Sequence, residues 1–111
     1  MQEKIEKYTV DIEKFVDSKV NKKLVESLAK RLASVMGKAD AKNVACGDPK
    51  ELERVRRNFV KKALGVDDIE KARTAMEIVC KAMKKSKLKS RVTYYYLLAT
   101  ELKKAKAYIE G

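Results

Sequence analysis

Asp48-Pro49-Lys50-Glu51 reads as the start of a helix. An aspartate at the cap accepts first-turn N–H groups that have no intrahelical partner. A proline at the first helical position gives up no hydrogen bond, and a glutamate three residues after the cap completes a capping box. The helix opened here is expected to run from Pro49 to about Leu64, with Leu52, Val55, Phe59 and Ala63 inward and Gly65 at its C-terminal stop. A second pattern follows at once: Asp67 and Glu70 repeat the capping box, and Ile69, Ala72, Met76, Val79, Cys80 and Met83 form an apolar stripe.

After a lysine-rich stretch, Ser90 is placed to cap a last helix containing Val92-Thr93-Tyr94-Tyr95-Tyr96-Leu97-Leu98-Ala99. That run is apolar or aromatic around most of its circumference, so this helix is expected to pack centrally against several others. Upstream, Ile5, Tyr8, Ile12, Phe15 and Val16 mark a first helix from Gln2 to about Ser18. Asn21 caps a second one carrying Leu24, Val25, Leu28, Ala29, Leu32, Val35 and Met36, which ends at Gly37. Residues 37–47 form the longest connection. The reading is an all-α, compact single domain over residues 1–111: an orthogonal bundle of about five helices, without the sustained heptads of a coiled coil.

The chain has 111 residues, 45% of them hydrophobic, one Pro and four Gly, which fits one folded helical core rather than a disordered chain. No apolar run approaches the ~20 residues that span a bilayer. The N-terminus lacks the continuous apolar stretch of a signal peptide, so a cytoplasmic protein with no membrane insertion is expected. Cys46 and Cys80 stand 34 positions apart, neither a metal-knuckle spacing nor a dense disulfide framework, and are read as reduced thiols, each a small packed residue. With no histidine in the chain, the commonest metal ligand and near-neutral acid–base group is missing. No catalytic, metal or cofactor-binding residue is assigned, and the protein is read as not an enzyme. Asp67, Asp68 and Glu70 are explained by capping and the helix dipole rather than by a divalent cation.

Charge is the main functional signal. The chain carries 27 basic and 16 acidic residues, a formal net charge of +11. Lys81 to Gly111 holds nine basic residues against Glu101 and Glu110, and no acid interrupts Lys84, Lys85, Lys87, Lys89 and Arg91. With Arg54, Arg57 and Lys61 from the third helix, these residues are candidates for an anion or nucleic-acid patch. Against that, 21 of the 27 are Lys, lacking the bidentate fork of Arg, and a solvated surface is the preferred account of them. Leu64-Gly65-Val66-Asp67 invites comparison with a helix-turn-helix, but the following helix would turn Asp67, Asp68 and Glu70 toward DNA.

Arg56 is the unusual single residue. At 100° per residue it falls between Phe59 and Val60 on the apolar side of the third helix. It is therefore expected partly buried and paired with a carboxylate, with anion recognition in a pocket as the alternative. For the three consecutive tyrosines, core packing of Tyr95 and partial exposure of Tyr94 is expected, in preference to a base-stacking platform.

The blocks Val44-Ala45-Cys46-Gly47-Asp48-Pro49-Lys50-Glu51-Leu52-Glu53-Arg54-Val55-Arg56 and Lys89-Ser90-Arg91-Val92-Thr93-Tyr94-Tyr95-Tyr96-Leu97-Leu98-Ala99 resemble a small bacterial family of uncharacterised helical proteins. With Asn58-Phe59, Lys61-Lys62, Leu64-Gly65, Val79-Cys80 and Met83-Lys84, the likeness covers roughly the C-terminal two thirds. It implies a compact helical domain and supplies no catalytic residues to carry over. The leading reading is a small helical domain acting through contacts with a protein partner or as a homo-oligomer. Low-specificity binding to a nucleic-acid phosphate backbone is the alternative.

Overall fold

The computed structural model describes residues 2–16, 19–32, 44–85 and 90–110. Among these residues six α-helices occur in the order α1 (Gln2–Glu13), α2 (Lys22–Leu32), α3 (Pro49–Val55), α4 (Ile69–Ala82), α5 (Arg91–Glu101) and α6 (Ala105–Glu110), with a π-helical segment at Arg56–Lys61 continuing α3. The chain is all-α, and its Cα radius of gyration of 12.8 Å is that of a compact domain of this length.

The helix starts follow the sequence with two changes. Asp48 caps α3, its Oδ1 accepting from Lys50 N at 3.0 Å, and Asn21 caps α2 through Leu24 N. Glu51, however, does not return to the Asp48 N–H, which instead donates to Ala45 O. The cap of α4 is Asp68, whose carboxylate accepts from Lys71 N, one residue later than the Asp67 pattern suggested. Ser90 holds the cap position of α5 without a side-chain bond.

The third helix departs most from expectation. In a straight α-helix Val55 and Leu64 would point to opposite sides, yet Val55, Phe59, Val60 and Leu64 are all buried. The π segment reconciles them: Leu64 N donates to Phe59 O, five residues back, and the wider turn brings Val60 and Leu64 inward while Leu52 and Ala63 are only partly buried. Gly65 ends this segment with φ +71, its N–H bonding Lys61 O and that of Val66 bonding Val60 O. No atom lies within 4 Å of where a Gly65 Cβ would stand, so a side chain there meets only the backbone penalty of the left-handed region. Gly65→Ala is expected to lower stability by about 1–2 kcal/mol, read as a shifted urea midpoint with unchanged slope.

α5 is the central helix, packing against α1, α2, α4, α6 and the π segment. Four consecutive residues show why one stripe is not enough. Thr93 donates to Asp11 on α1, the Tyr94 hydroxyl lies against α4, and the Tyr95 ring stacks on Phe59 at a 4.0 Å centroid separation. The Tyr96 hydroxyl accepts the Asn21 N–H at the start of α2. Tyr94 is therefore fully buried rather than partly exposed, and burial pushes its hydroxyl pKa far above the ordinary value. The last helix of the sequence reading is two: Lys103, with φ 58, breaks it and turns α6 back against α2 and α5.

Candidate functional site

The charged residues singled out by sequence divide into three environments. Arg54, Arg57, Lys61, Lys84 and Lys85 are exposed, and Lys87 and Lys89 lie outside the described residues. Two of the exposed cations are already paired: Arg54 with Glu51 at 2.8 Å and Arg57 with Glu53 at 3.3 Å. Arg91 does not belong to that surface. Its side chain is 11% exposed and bonds both Glu51 and the Tyr95 hydroxyl, because α5 enters the core at this residue. Burial opposes ionisation of Glu51, but the hydrogen bonds and charges of Arg91 and Arg54 outweigh it and hold the carboxyl below its ordinary range.

Arg56 is partly buried and carboxylate-paired, as its phase suggested. It makes a two-point bond to Glu53, Nε to Oε2 at 3.2 Å and Nη2 to Oε1. That bond raises the guanidinium pKa and lowers that of Glu53. Arg56 continues α3, its N–H still bonding Leu52 O four residues back, and it lies beside a cavity between α3 and α4.

This cavity, about 370 Å³, is lined by Cys46, Pro49, Leu52, Glu53, Arg56, Arg73, Met76, Glu77 and Cys80. α3 supplies Pro49, Leu52 and Glu53, spaced three and one residues apart beside its buried Glu51 and Val55. α4 supplies Arg73, Met76, Glu77 and Cys80, spaced three, one and three residues apart on one side of the helix. The floor is apolar and the rim carries two cations and two anions.

One wall corrects the reading of free thiols: Cys46 and Cys80 form a disulfide, with a Cα–Cα distance of 5.9 Å. The bond ties the turn before α3 to the last part of α4. Tyr94 completes the wall from beneath, its hydroxyl 3.2 Å from Cys80 Sγ and 3.2 Å from Met76 O. A disulfide sulfur has no proton, so Tyr94 is the donor to both. Sequence reasoning weighed each cysteine alone; a spacing of 34 carries no pairing signal, and only the fold brings the turn before α3 to the last part of α4.

No helix among the described residues is long and apolar enough to cross a membrane. Residues 7–106 match the model of a family described as "Protein of unknown function (DUF2853)". No curated protein matches the chain.

Proposed function

We propose, from the premise that the chain belongs to the DUF2853 family of unknown function, that it is a small cytoplasmic interaction domain that binds a protein partner without catalysing a reaction. The observation that carries this reading is the α3–α4 cavity, with its apolar floor and a rim of Glu53, Arg56, Arg73 and Glu77. Charges of both signs beside an apolar floor suit a partner segment that inserts an apolar side chain flanked by a cation and an anion. With as many carboxylates as guanidinium groups, the rim offers a polyanion no net charge to bind. The residues with the richest chemistry in the sequence support a non-catalytic role: Glu51 and Arg91 hold each other, the tyrosines are packed, and the chain has no histidine.

A photo-crosslinking residue at Arg73, exposed on the cavity rim, and another at Lys103 on the α5–α6 turn test this reading in cells that express the protein. The expected result is one discrete protein adduct from position 73 and none from 103. Failure of position 73 to capture any protein would sink it. The nucleic-acid alternative rests on the exposed Arg54, Arg57 and Lys61, which share a face of the third helix. It predicts nuclease-sensitive adducts from position 57 and binding to oligonucleotides that falls steeply with salt.

A further inference from the structure

We propose that the Cys46–Cys80 disulfide is a thiol-exchange site, at which a small-molecule thiol seated in the α3–α4 cavity becomes covalently attached to Cys46. This goes beyond partner binding and does not depend on it. Three observations place the chemistry. Both sulfurs belong to residues that line a cavity large enough for a small ligand. Each cysteine is only partly buried, unlike a structural disulfide sealed in a core. The two sulfurs also differ: Cys80 Sγ has a buried hydroxyl donor, that of Tyr94, at 3.2 Å.

In the exchange, the incoming thiolate donates an electron pair to Cys46 Sγ, a new sulfur–sulfur bond forms, and the Cys46–Cys80 bond breaks with its electron pair leaving on Cys80 Sγ. One disulfide replaces another, so no external oxidant or reductant is required. Tyr94 decides the direction. Its single proton is shared between Cys80 Sγ and Met76 O at equal distances, and it turns to the sulfur once that atom carries a full charge, because hydrogen bonds to ions are the stronger kind.

The helix termini argue less. The end of α4 places partial negative charge near Cys80, but that effect is diffuse, whereas the tyrosine donor is in contact. On the other side, α3 has seven residues and its N-terminus is capped by the Asp48 carboxylate, which opposes a thiolate at Cys46. Access favours the same assignment. Cys46 sits in a turn beside Gly47, where no atom lies within 4 Å of a would-be Cβ, while Cys80 is held in a helix. A bond of this kind in a reducing compartment is characteristically transient or redox-sensing.

The oxidised full-length chain is mixed with reduced glutathione as the probe thiol, quenched with an alkylating agent at successive times and mapped by peptide mass spectrometry. The expected early product carries glutathione on Cys46 and alkylation on Cys80. Glutathione on Cys80, an even distribution, or no mixed disulfide at all would overturn the proposal. Tyr94→Phe removes the donor and is expected to slow adduct formation roughly three- to tenfold; exchange at the wild-type rate in a folded variant would overturn the role of Tyr94. Should that variant not fold, the ultraviolet thiolate absorbance of Cys46→Ser and Cys80→Ser decides the same point. The thiol left in Cys46→Ser is expected to ionise at lower pH than the thiol left in Cys80→Ser, and the reverse order would refute the assignment.

Discussion

Glu51→Leu is expected to lower the stability of the domain by about 3–5 kcal/mol, placing it among the most damaging single changes in the chain. Glu51 is the anion facing Arg91, and each of the two side chains is only 11% exposed. Without it the guanidinium loses its charged hydrogen bond to Glu51 while the cost of its burial stays. The double substitution Glu51→Leu with Arg91→Met removes both charges at similar volume and is expected to recover most of the loss. Urea denaturation of the two variants checks this: a double variant no more stable than Glu51→Leu would mean that packing, not the broken charge pair, caused the loss.

The same pair sets a pH dependence. In the folded chain Glu51 ionises below its ordinary value of 4.5. Its contribution is therefore complete above the unfolded value and is lost as the pH falls through the folded one. Thermal unfolding at pH 7 and pH 3 should differ more for wild type than for the double variant, in which this linkage is gone.

The contrast between Glu51 and Arg91 on one side and Asp48 on the other shows how far local sequence carries. Caps are local chemistry, so Asp48, Asn21 and the stop at Gly65 could be read directly, as could the breadth of the α5 surface that makes it central. Glu51 satisfied a local rule and was placed by a distant one: an arginine 40 residues away in sequence competes for its carboxylate with the Asp48 N–H, which bonds Ala45 O instead, and the charged partner wins. Arg91 was counted with the exposed lysines because a charge run looks uniform in one dimension, although α5 begins within it. Arg56 was legible in its pairing but not in its place beside the cavity, since the opposite wall comes from α4 residues far along the chain. Ile69 illustrates the same limit at the first residue of α4, where it is 46% exposed despite continuing the apolar stripe.

Phe59→Ala is expected to cost about 3–5 kcal/mol, and its effect should extend beyond the cavity it creates. Phe59 is 1% exposed and sits in the π segment, stacked on Tyr95 at an interplanar angle of 15° and tilted at 50° to Tyr108 on α6. The widened turn exists to bring Val60 and Leu64 into the core without turning Phe59 out. Deleting the ring therefore removes a main benefit of the less favourable i→i+5 geometry as well as the buried area. α6 has six residues, too few to hold as an isolated helix, so it depends on such contacts through Tyr108 and its neighbours. Phe59→Leu, which retains most of the apolar volume, should cost under about 1.5 kcal/mol. Amide hydrogen exchange separates the local effect from the global one. In Phe59→Ala the α6 amides should lose protection before those of α5, whereas in Phe59→Leu both should remain near wild type. If α6 keeps full protection in Phe59→Ala while global stability drops, Tyr108 is held by α2 and α5 alone, and the stacked ring serves only to fill the core.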